Sequence, residues 1–369
     1  MAISKHWYAV IMAGGIGTRF WPFSRQRFPK QFHDILGTGK TLIQQTVERF
    51  QQICSTENIY IVGSREHEAL FYEQLPDFAP HQFILEPSRR NTAPCIAYSA
   101  FKIFHKDKKA NLVVSPADHY IANEKEFART IQKALKETAQ KDILVTLGIQ
   151  PTRPDTGYGY IQFCEEKTTL WRKILGISSP VKKVKLFAEK PPLELAIEFV
   201  RSGDFLWNSG IFIWNAQTII REFEKHLPDI YEAFAEIQDT FFTENETIAV
   251  EKAYTQCRAI SIDYGIMEKS EHVFIIPANF GWSDLGTWKS LYELSTRDEK
   301  QNVIKGNVVA MDTENCIIQT PENRLVIVKG LQNFIVAEYE NALMICPKDE
   351  EQSVKEFVSI AEKKGREFV

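Results

Sequence analysis

The chain of 369 residues carries a formal net charge of −4, with 44% hydrophobic and 25% charged side chains. That is the balance of a soluble globular protein with room for one large domain and a smaller one. No long Lys/Arg run points to nucleic acid or a membrane surface, and no apolar stretch approaches the ~20 residues of a membrane span. Lys5-His6 before Trp7–Ala13 imitates a secretion signal, but the run is short and empties into glycines, not a cleavage site. Six scattered cysteines with no C-x-x-C pair argue for reduced, mostly buried thiols in a cytoplasmic protein.

Tyr8–Met12 reads as a buried strand that runs through Ala13 into Gly14, Gly15 and Gly17, with Thr18 and the cations Arg19, Arg25, Arg27 and Lys30 beyond. Glycines let backbone N–H groups approach an anion, and fixed positive charge follows, so this loop is suited to a nucleoside triphosphate. A dinucleotide fingerprint fails because Phe20 stands at the third glycine and Trp21-Pro22 interrupts the expected helix. Residues 34–41 nearly spell a phosphate loop. Its first glycine is Asp34, however, and the stretch reads better as a polar turn before a helix from Leu42.

Helical and strand-like segments then alternate. Helices are expected over Leu42–Ile53, Glu66–Leu75, Ala93–His105 and Glu124–Gln140, and strands over Ile59–Val62, Phe83–Leu85, Asn111–Ser115 and Ile143–Leu147. Such alternation implies a parallel sheet with helices on both faces and ligands beyond the C-terminal strand ends. Two polar segments stand there. Glu86 and Asn91, with nearby backbone including Ala93, can meet the donors and acceptor of a guanine edge, while Thr92 is a plausible helix cap. Asp118 in Pro116–His119 is either a turn former or an oxygen ligand for Mg²⁺.

Gly157-Tyr158-Gly159 is either a hairpin turn or a seat for a sugar ring. Glu189 and Lys190 end a strand, where neighbours point to opposite faces and so do not pair simply. Asn208, inside the apolar run Phe205–Trp214, needs a partner: a sugar hydroxyl or a backbone group. Residues 216–257 read as three helices covering the sugar side. Asp284 sits in a Gly/Ser turn before a helix, as an N-cap or a second metal ligand. From Asn302, five short apolar runs and a helix over Glu350–Lys364 read as a small β domain. The domains expected are 1–300 and 301–369.

The ordered motifs Gly15–Arg19, Trp21-Pro22, Pro29–Phe32, Glu86–Pro94, Pro116–His119, Gly157–Tyr160, Trp207–Gly210 and Trp282–Gly286 resemble the sugar-nucleotide pyrophosphorylases, in the form carried by the mannose-1-phosphate guanylyltransferases. Ile16, usually small and polar, and His33, usually apolar, depart from the pattern. The resemblance implies a Rossmann-like nucleotidyltransferase fold: an α/β, mixed and mostly parallel sheet flanked by helices. It also implies a C-terminal domain like a short left-handed β-helix, used for packing or dimerisation, with no isomerase domain to follow.

It further implies GTP and mannose 1-phosphate as substrates, GDP-mannose and pyrophosphate as products, and a homodimer. Mg²⁺ would be held by Asp118 and Asp284, with Mn²⁺ or Co²⁺ accepted. Ala13, Gly14, Gly15, Gly17, Thr18, Arg19, Glu86, Asn91 and Ala93 would bind nucleotide. Gly157, Tyr158, Gly159, Glu189, Lys190, Asn208 and Asp263 would bind the sugar phosphate. Arg19, Lys30 and Lys190 would serve catalysis. The rival readings are a sister enzyme with another nucleotide or sugar and a silent regulatory homologue that senses GDP-mannose.

Overall fold

The computed structural model describes residues 3–164 and 180–369. By internal contacts the chain divides into two units. The first comprises residues 1–14, 46–117 and 121–282, and the second 15–45, 118–120 and 283–369.

The first unit is built on a sheet of nine strands among the described residues, in the order β3-β2-β1-β4-β9-β6-β10-β8-β7. The strands are β1 (Trp7–Met12), β2 (Ile59–Ser64), β3 (Phe83–Glu86), β4 (Asn111–Pro116), β6 (Leu144–Ile149), β7 (Tyr160–Phe163), β8 (Lys182–Ala188), β9 (Phe205–Asn215) and β10 (Val273–Ala278). Strands β5 (Tyr120–Ile121) and β11 (Trp282–Ser283) are two residues each. All but β8 and β9 run one way, but because those two lie inside the sheet only four of the nine strand pairings among the described residues are parallel, so the sheet is mixed, with its parallel run in β3-β2-β1-β4.

Alternation along the strands assigns the two faces. Tyr8, Val10, Leu112 and Val114 join a buried cluster with α3 (Thr92–Lys106) and with α6 (Ala216–His226), α7 (Pro228–Glu236) and α8 (Glu246–Gln256). Asn111, of opposite parity, donates to the Leu135 carbonyl of α4 (Glu124–Thr138) and accepts from Thr138 Oγ1 at 2.9 Å. Helices therefore cover both faces, along with α1 (Leu42–Gln51), α2 (Glu68–Gln74) and α5 (Leu193–Ser202). The strand order reverses between β1 and β4, where Met12 lies opposite Pro116 and the Ala117 N–H donates to Met12 O at 2.9 Å. In open α/β sheets that reversal opens the ligand crevice.

The second unit stacks short parallel strands. β12 (Val303–Lys305), β14 (Ile317–Gln319) and β16 (Phe334–Tyr339) pair in parallel, as do β13 (Val308–Met311) and β15 (Val326–Lys329). Paired residues repeat after 14 (Val303, Ile317) and 18 positions (Ile317, Ile335), so each coil buries one apolar side chain over the last. β17 (Ala342–Pro347) closes this stack antiparallel to β16. Its core also takes Phe20, Trp21, Leu285, Trp288 of α9 (Trp288–Leu294) and Val354 of α10 (Val354–Lys364). None of the described helices is long and apolar enough to cross a membrane. The six cysteines are free, and all but Cys164 are buried.

Candidate active site

The second unit holds the glycine turn with its cation and two carboxylates. Gly17 takes a left-handed conformation (φ 76°), and a Cβ there would lie 2.7 Å from Lys30 Cβ, so the turn closes directly on the lysine stem. Only glycine meets both demands. Gly15 is exposed, with no atom within 4 Å of where its Cβ would stand. Ile16 contributes backbone: its carbonyl accepts from the Lys30 N–H at 3.1 Å and from Ser24 Oγ. That use does not depend on the side chain, which is how a β-branched residue fits among the glycines. Thr18–Phe20 form one short 3₁₀ turn, and no helix follows.

Lys30 is 2% exposed. Its ammonium lies 2.7 Å from Asp118 Oδ2 and donates to the carbonyls of Asp284 at 3.1 Å and Leu285 at 2.9 Å. One buried lysine thus ties together two aspartates separated by 166 positions of sequence. Burial works against the Asp118 charge, but Lys30 and then His119 outweigh it and hold the carboxyl below its ordinary range. The carboxylate of Asp284 folds back to accept from the Gly286 N–H at 3.0 Å. The helix behind it is capped by Thr287, which accepts from Ser290 N, so capping does not explain Asp284. Among the described residues no three His, Cys, Asp or Glu side chains converge as a metal set. Two hard carboxylates near one site suit a divalent cation whose other ligands come from phosphate and water.

The four cations after the glycines do not act together. Arg25 is 1% exposed and donates to the carbonyls of Pro22 (3.0 Å), Tyr339 (2.7 Å) and Glu367 (3.0 Å) and to Asn341 Oδ1 (2.7 Å). Arg27 pairs with Glu340. Both are consumed in holding the loop to the C-terminal strands. Arg19 is half-buried and has no hydrogen-bond or ion-pair partner among the described residues, leaving its guanidinium available to a phosphate. His33 fills the apolar position as a buried ring whose Nε2 lies 3.1 Å from the Phe28 carbonyl. It packs edge-on against Phe28 (4.6 Å) and Tyr339 (5.2 Å), and burial pushes its pKa down to about 4.

In the first unit, Ala13 follows β1 and its N–H donates to Val62 O at 2.7 Å, so Gly14 begins the free turn. Glu86 ends β3 and is 8% exposed. Its Oε2 lies 3.4 Å from where a Gly14 Cβ would be, and Oε1 accepts from the Tyr254 hydroxyl at 3.0 Å. Burial pushes the Glu86 carboxyl up to about 7, against the pull of Tyr254 and Arg89. Sequence reasoning missed Tyr254, which sits 168 positions away on α8 with no motif around it; α8 therefore serves the Glu86 segment.

Thr92 is not a cap. Its hydroxyl accepts from the Ile262 N–H at 2.8 Å, while Asn91, at φ 61°, precedes the helix without capping it. The Ala93 N–H is engaged by Ile260 O at 3.0 Å, so it is not a spare donor for a base. The exposed Asn91 side chain has no partner among the described residues.

A second cluster in the same unit gathers the residues read for a sugar. Strand β8 stops at Ala188, and Lys190 turns into the left-handed region (φ 48°). The expected opposition of neighbours therefore fails: Lys190 Nζ lies 2.9 Å from Glu189 Oε1. Glu189 Oε2 is buried without a hydrogen-bond partner among the described residues, and a Cβ on Gly159 would come within 2.3 Å of it. Asn208, 8% exposed, finds the backbone partner expected for it in the Gly210 N–H, which donates to its Oδ1 at 3.2 Å, and two side chains besides. Its amide accepts from Thr146 Oγ1 (3.0 Å) and donates to Asp263 Oδ1 (2.9 Å). Burial first, then the Glu189 charge, push Asp263 up to about 7. Burial opposes the Lys190 charge, but Glu189 and Asp263 outweigh it and raise its pKa. Gly157 N donates to Asp155 Oδ1, and the Tyr158 ring packs on Trp207 (4.9 Å) and Trp282 (5.3 Å). Glu268, also missed from sequence, accepts from the Glu189 N–H at 3.3 Å.

Comparison with known proteins shows the family of the chain. The nucleotidyl transferase family model matches residues 8–301, and a "MannoseP isomerase/GMP-like beta-helix domain" matches residues 306–360. A mannose-1-phosphate guanylyltransferase of Salmonella montevideo is 38% identical over 95% of this chain and 72% of its own length. The alginate biosynthesis protein AlgA of Pseudomonas putida is 36% identical over 97% and 72%. A crystal structure from Thermus thermophilus, described as a mannose-1-phosphate geranyltransferase, superposes with a TM-score of 0.84 at 31% identity, covering 97% of this chain and 99% of that one.

Proposed function

The chain belongs to the nucleotidyl transferase family, and from that premise we propose that it is an enzyme transferring the guanylyl group of GTP to α-mannose 1-phosphate, with GDP-mannose and pyrophosphate as products. Relatives named mannose-1-phosphate guanylyltransferase, 35–38% identical over 95% or more of this chain, support the substrate pair. The observation that carries the chemistry is Lys30, buried against the glycine turn and bonded to both aspartate segments.

In this reading an oxygen of the sugar phosphate attacks the α-phosphorus in line and pyrophosphate departs opposite. The nucleophile is already ionised, so no general base is required, and rate comes from positioning and charge neutralisation. Gly14, Gly15, Gly17 and Thr18 present the turn to the triphosphate, and Arg19 meets its departing end. Lys30 keeps Asp118 ionised and fixed. Asp118 and Asp284 would hold a divalent cation, Mg²⁺ in this reading, which supplies positive charge at the reacting phosphates. Glu86 and Asn91 read the base. Lys190 offsets the sugar phosphate. Glu189 and Asp263 accept sugar hydroxyls over the Gly157–Gly159 turn, and Asn208 holds Asp263 in place. The protein works in the cytoplasm as a homodimer, with residues 1–300 catalytic and 301–369 a β domain.

Pyrophosphate release from GTP, with and without mannose 1-phosphate, tests the assignment. Release that requires the sugar phosphate, and that UTP or dTTP supports far more weakly, is the expected result. Equal use of another nucleotide would move the chain to a sister activity, and no release with any pair would leave only a binding role.

A further inference from the structure

Tyr254 is fully buried, its ring edge-on to Phe234 (5.9 Å) and Tyr98 (6.5 Å), so its orientation is fixed by core packing. Its hydroxyl donates to Glu86 Oε1 at 3.0 Å, while Oε2 is the oxygen on the Gly14 side. A carboxylate with one oxygen tied down presents the other at a set angle. We propose that Tyr254 is a positioning residue for base selection: it aims Glu86 and favours its carboxylate form, which accepts from N1–H and the 2-amino group of guanine. This rests on Glu86 reading the base.

The chemistry of the alternatives supports it. A neutral Glu86 would offer a hydroxyl to guanine donors, and adenine would set its N1 lone pair against a carboxylate, so both the charge and the aim of Glu86 carry specificity. Burial works against that charge, and of the groups facing Glu86 only Tyr254 and Arg89 favour it, the Cys95 thiol beside it staying protonated. The Tyr254 hydroxyl is itself pushed well above its ordinary range by burial and by Glu86, so it remains a donor throughout.

The test is Tyr254→Phe, which keeps the ring and deletes one oxygen, assayed beside Glu86→Gln with GTP and with ITP, which lacks the 2-amino group. Expected for Tyr254→Phe is a fall of about tenfold in kcat/KM for GTP and a smaller one for ITP, so the GTP/ITP ratio shrinks. Because the lost bond favoured the ionised form, the acid limb of the GTP profile moves to higher pH. A purely structural role would lower melting temperature and both nucleotides alike, leaving ratio and limb unmoved, and that result overturns the proposal. If Glu86→Gln collapses the ratio while Tyr254→Phe preserves it, Glu86 reads the base without Tyr254's help. If Glu86→Gln leaves the ratio intact, the base reading falls, and this inference with it.

Discussion

Gly17→Ala tests how tightly the phosphate turn is built. At φ 76° a side chain pays about 1–2 kcal/mol for the left-handed region alone. Its Cβ would also stand 2.7 Å from Lys30 Cβ, where carbon atoms rest at about 3.5–4.0 Å, so the turn and the lysine must part by about 1 Å. That strain adds roughly another 1 kcal/mol, giving a destabilisation of about 2–3 kcal/mol. The same displacement moves the Lys30 ammonium off Asp118 and the 284–285 carbonyls, and a 1 Å error at a reacting centre costs about a hundredfold in turnover. Gly15→Ala is the control, because nothing lies within 4 Å of its Cβ. It should melt as the parent does, yet lose about tenfold or more in kcat/KM for GTP by crowding the triphosphate. Thermal melting and pyrophosphate release are measured on both variants. A Gly17→Ala protein that melts and turns over like the parent would refute the argument.

Three further outcomes follow from the geometry. Gly159→Ala puts a methyl 2.3 Å from Glu189 Oε2, so KM for mannose 1-phosphate should rise by about tenfold or more while KM for GTP holds; equal rises would place the turn elsewhere. Asp263 is raised from 3.8 to about 7, so folding favours its protonated form: its contribution is intact below pH 4 and lost as pH rises to 7. Asp263→Asn should therefore gain melting temperature over the parent across that window and hold the gain above it, and a difference flat from pH 4 to 8 would contradict the burial argument. Arg25→Met deletes a buried guanidinium that donates to four acceptors and should destabilise by about 1.5–3 kcal/mol, whereas Arg27→Ala should leave turnover within about twofold; a large activity loss for Arg27→Ala would return it to the phosphate site.

What could be read from sequence was what is contiguous in it. The strand, the glycines and Lys30 fall within some 24 positions, and alternation of patterns sufficed for an α/β sheet with a β-rich end. The errors share one cause, partners remote in the chain. Arg25 and Arg27 look like phosphate ligands until Tyr339 and Glu340 arrive from over 300 positions away. Thr92 meets Ile262 across 170 positions, and Asn208, beyond the backbone partner expected for it, meets Thr146 and Asp263 across 62 and 55. Glu189 and Lys190 failed for a local reason: the strand ends two residues earlier than the alternation argument required, and a left-handed Lys190 swings back. Tyr254 left no local signal at all, since a tyrosine at helical spacing reads as core, which it also is.

The most direct measurement of the central claim is a divalent-cation titration of GDP-mannose formation by the parent, Asp118→Asn and Asp284→Asn, with melting recorded alongside. The account predicts no product without the cation, and losses of about a thousandfold in kcat in each variant, unrecovered at saturating Mg²⁺ while the fold persists. Parent-like rates in either aspartate variant, or turnover in a chelator, would contradict it.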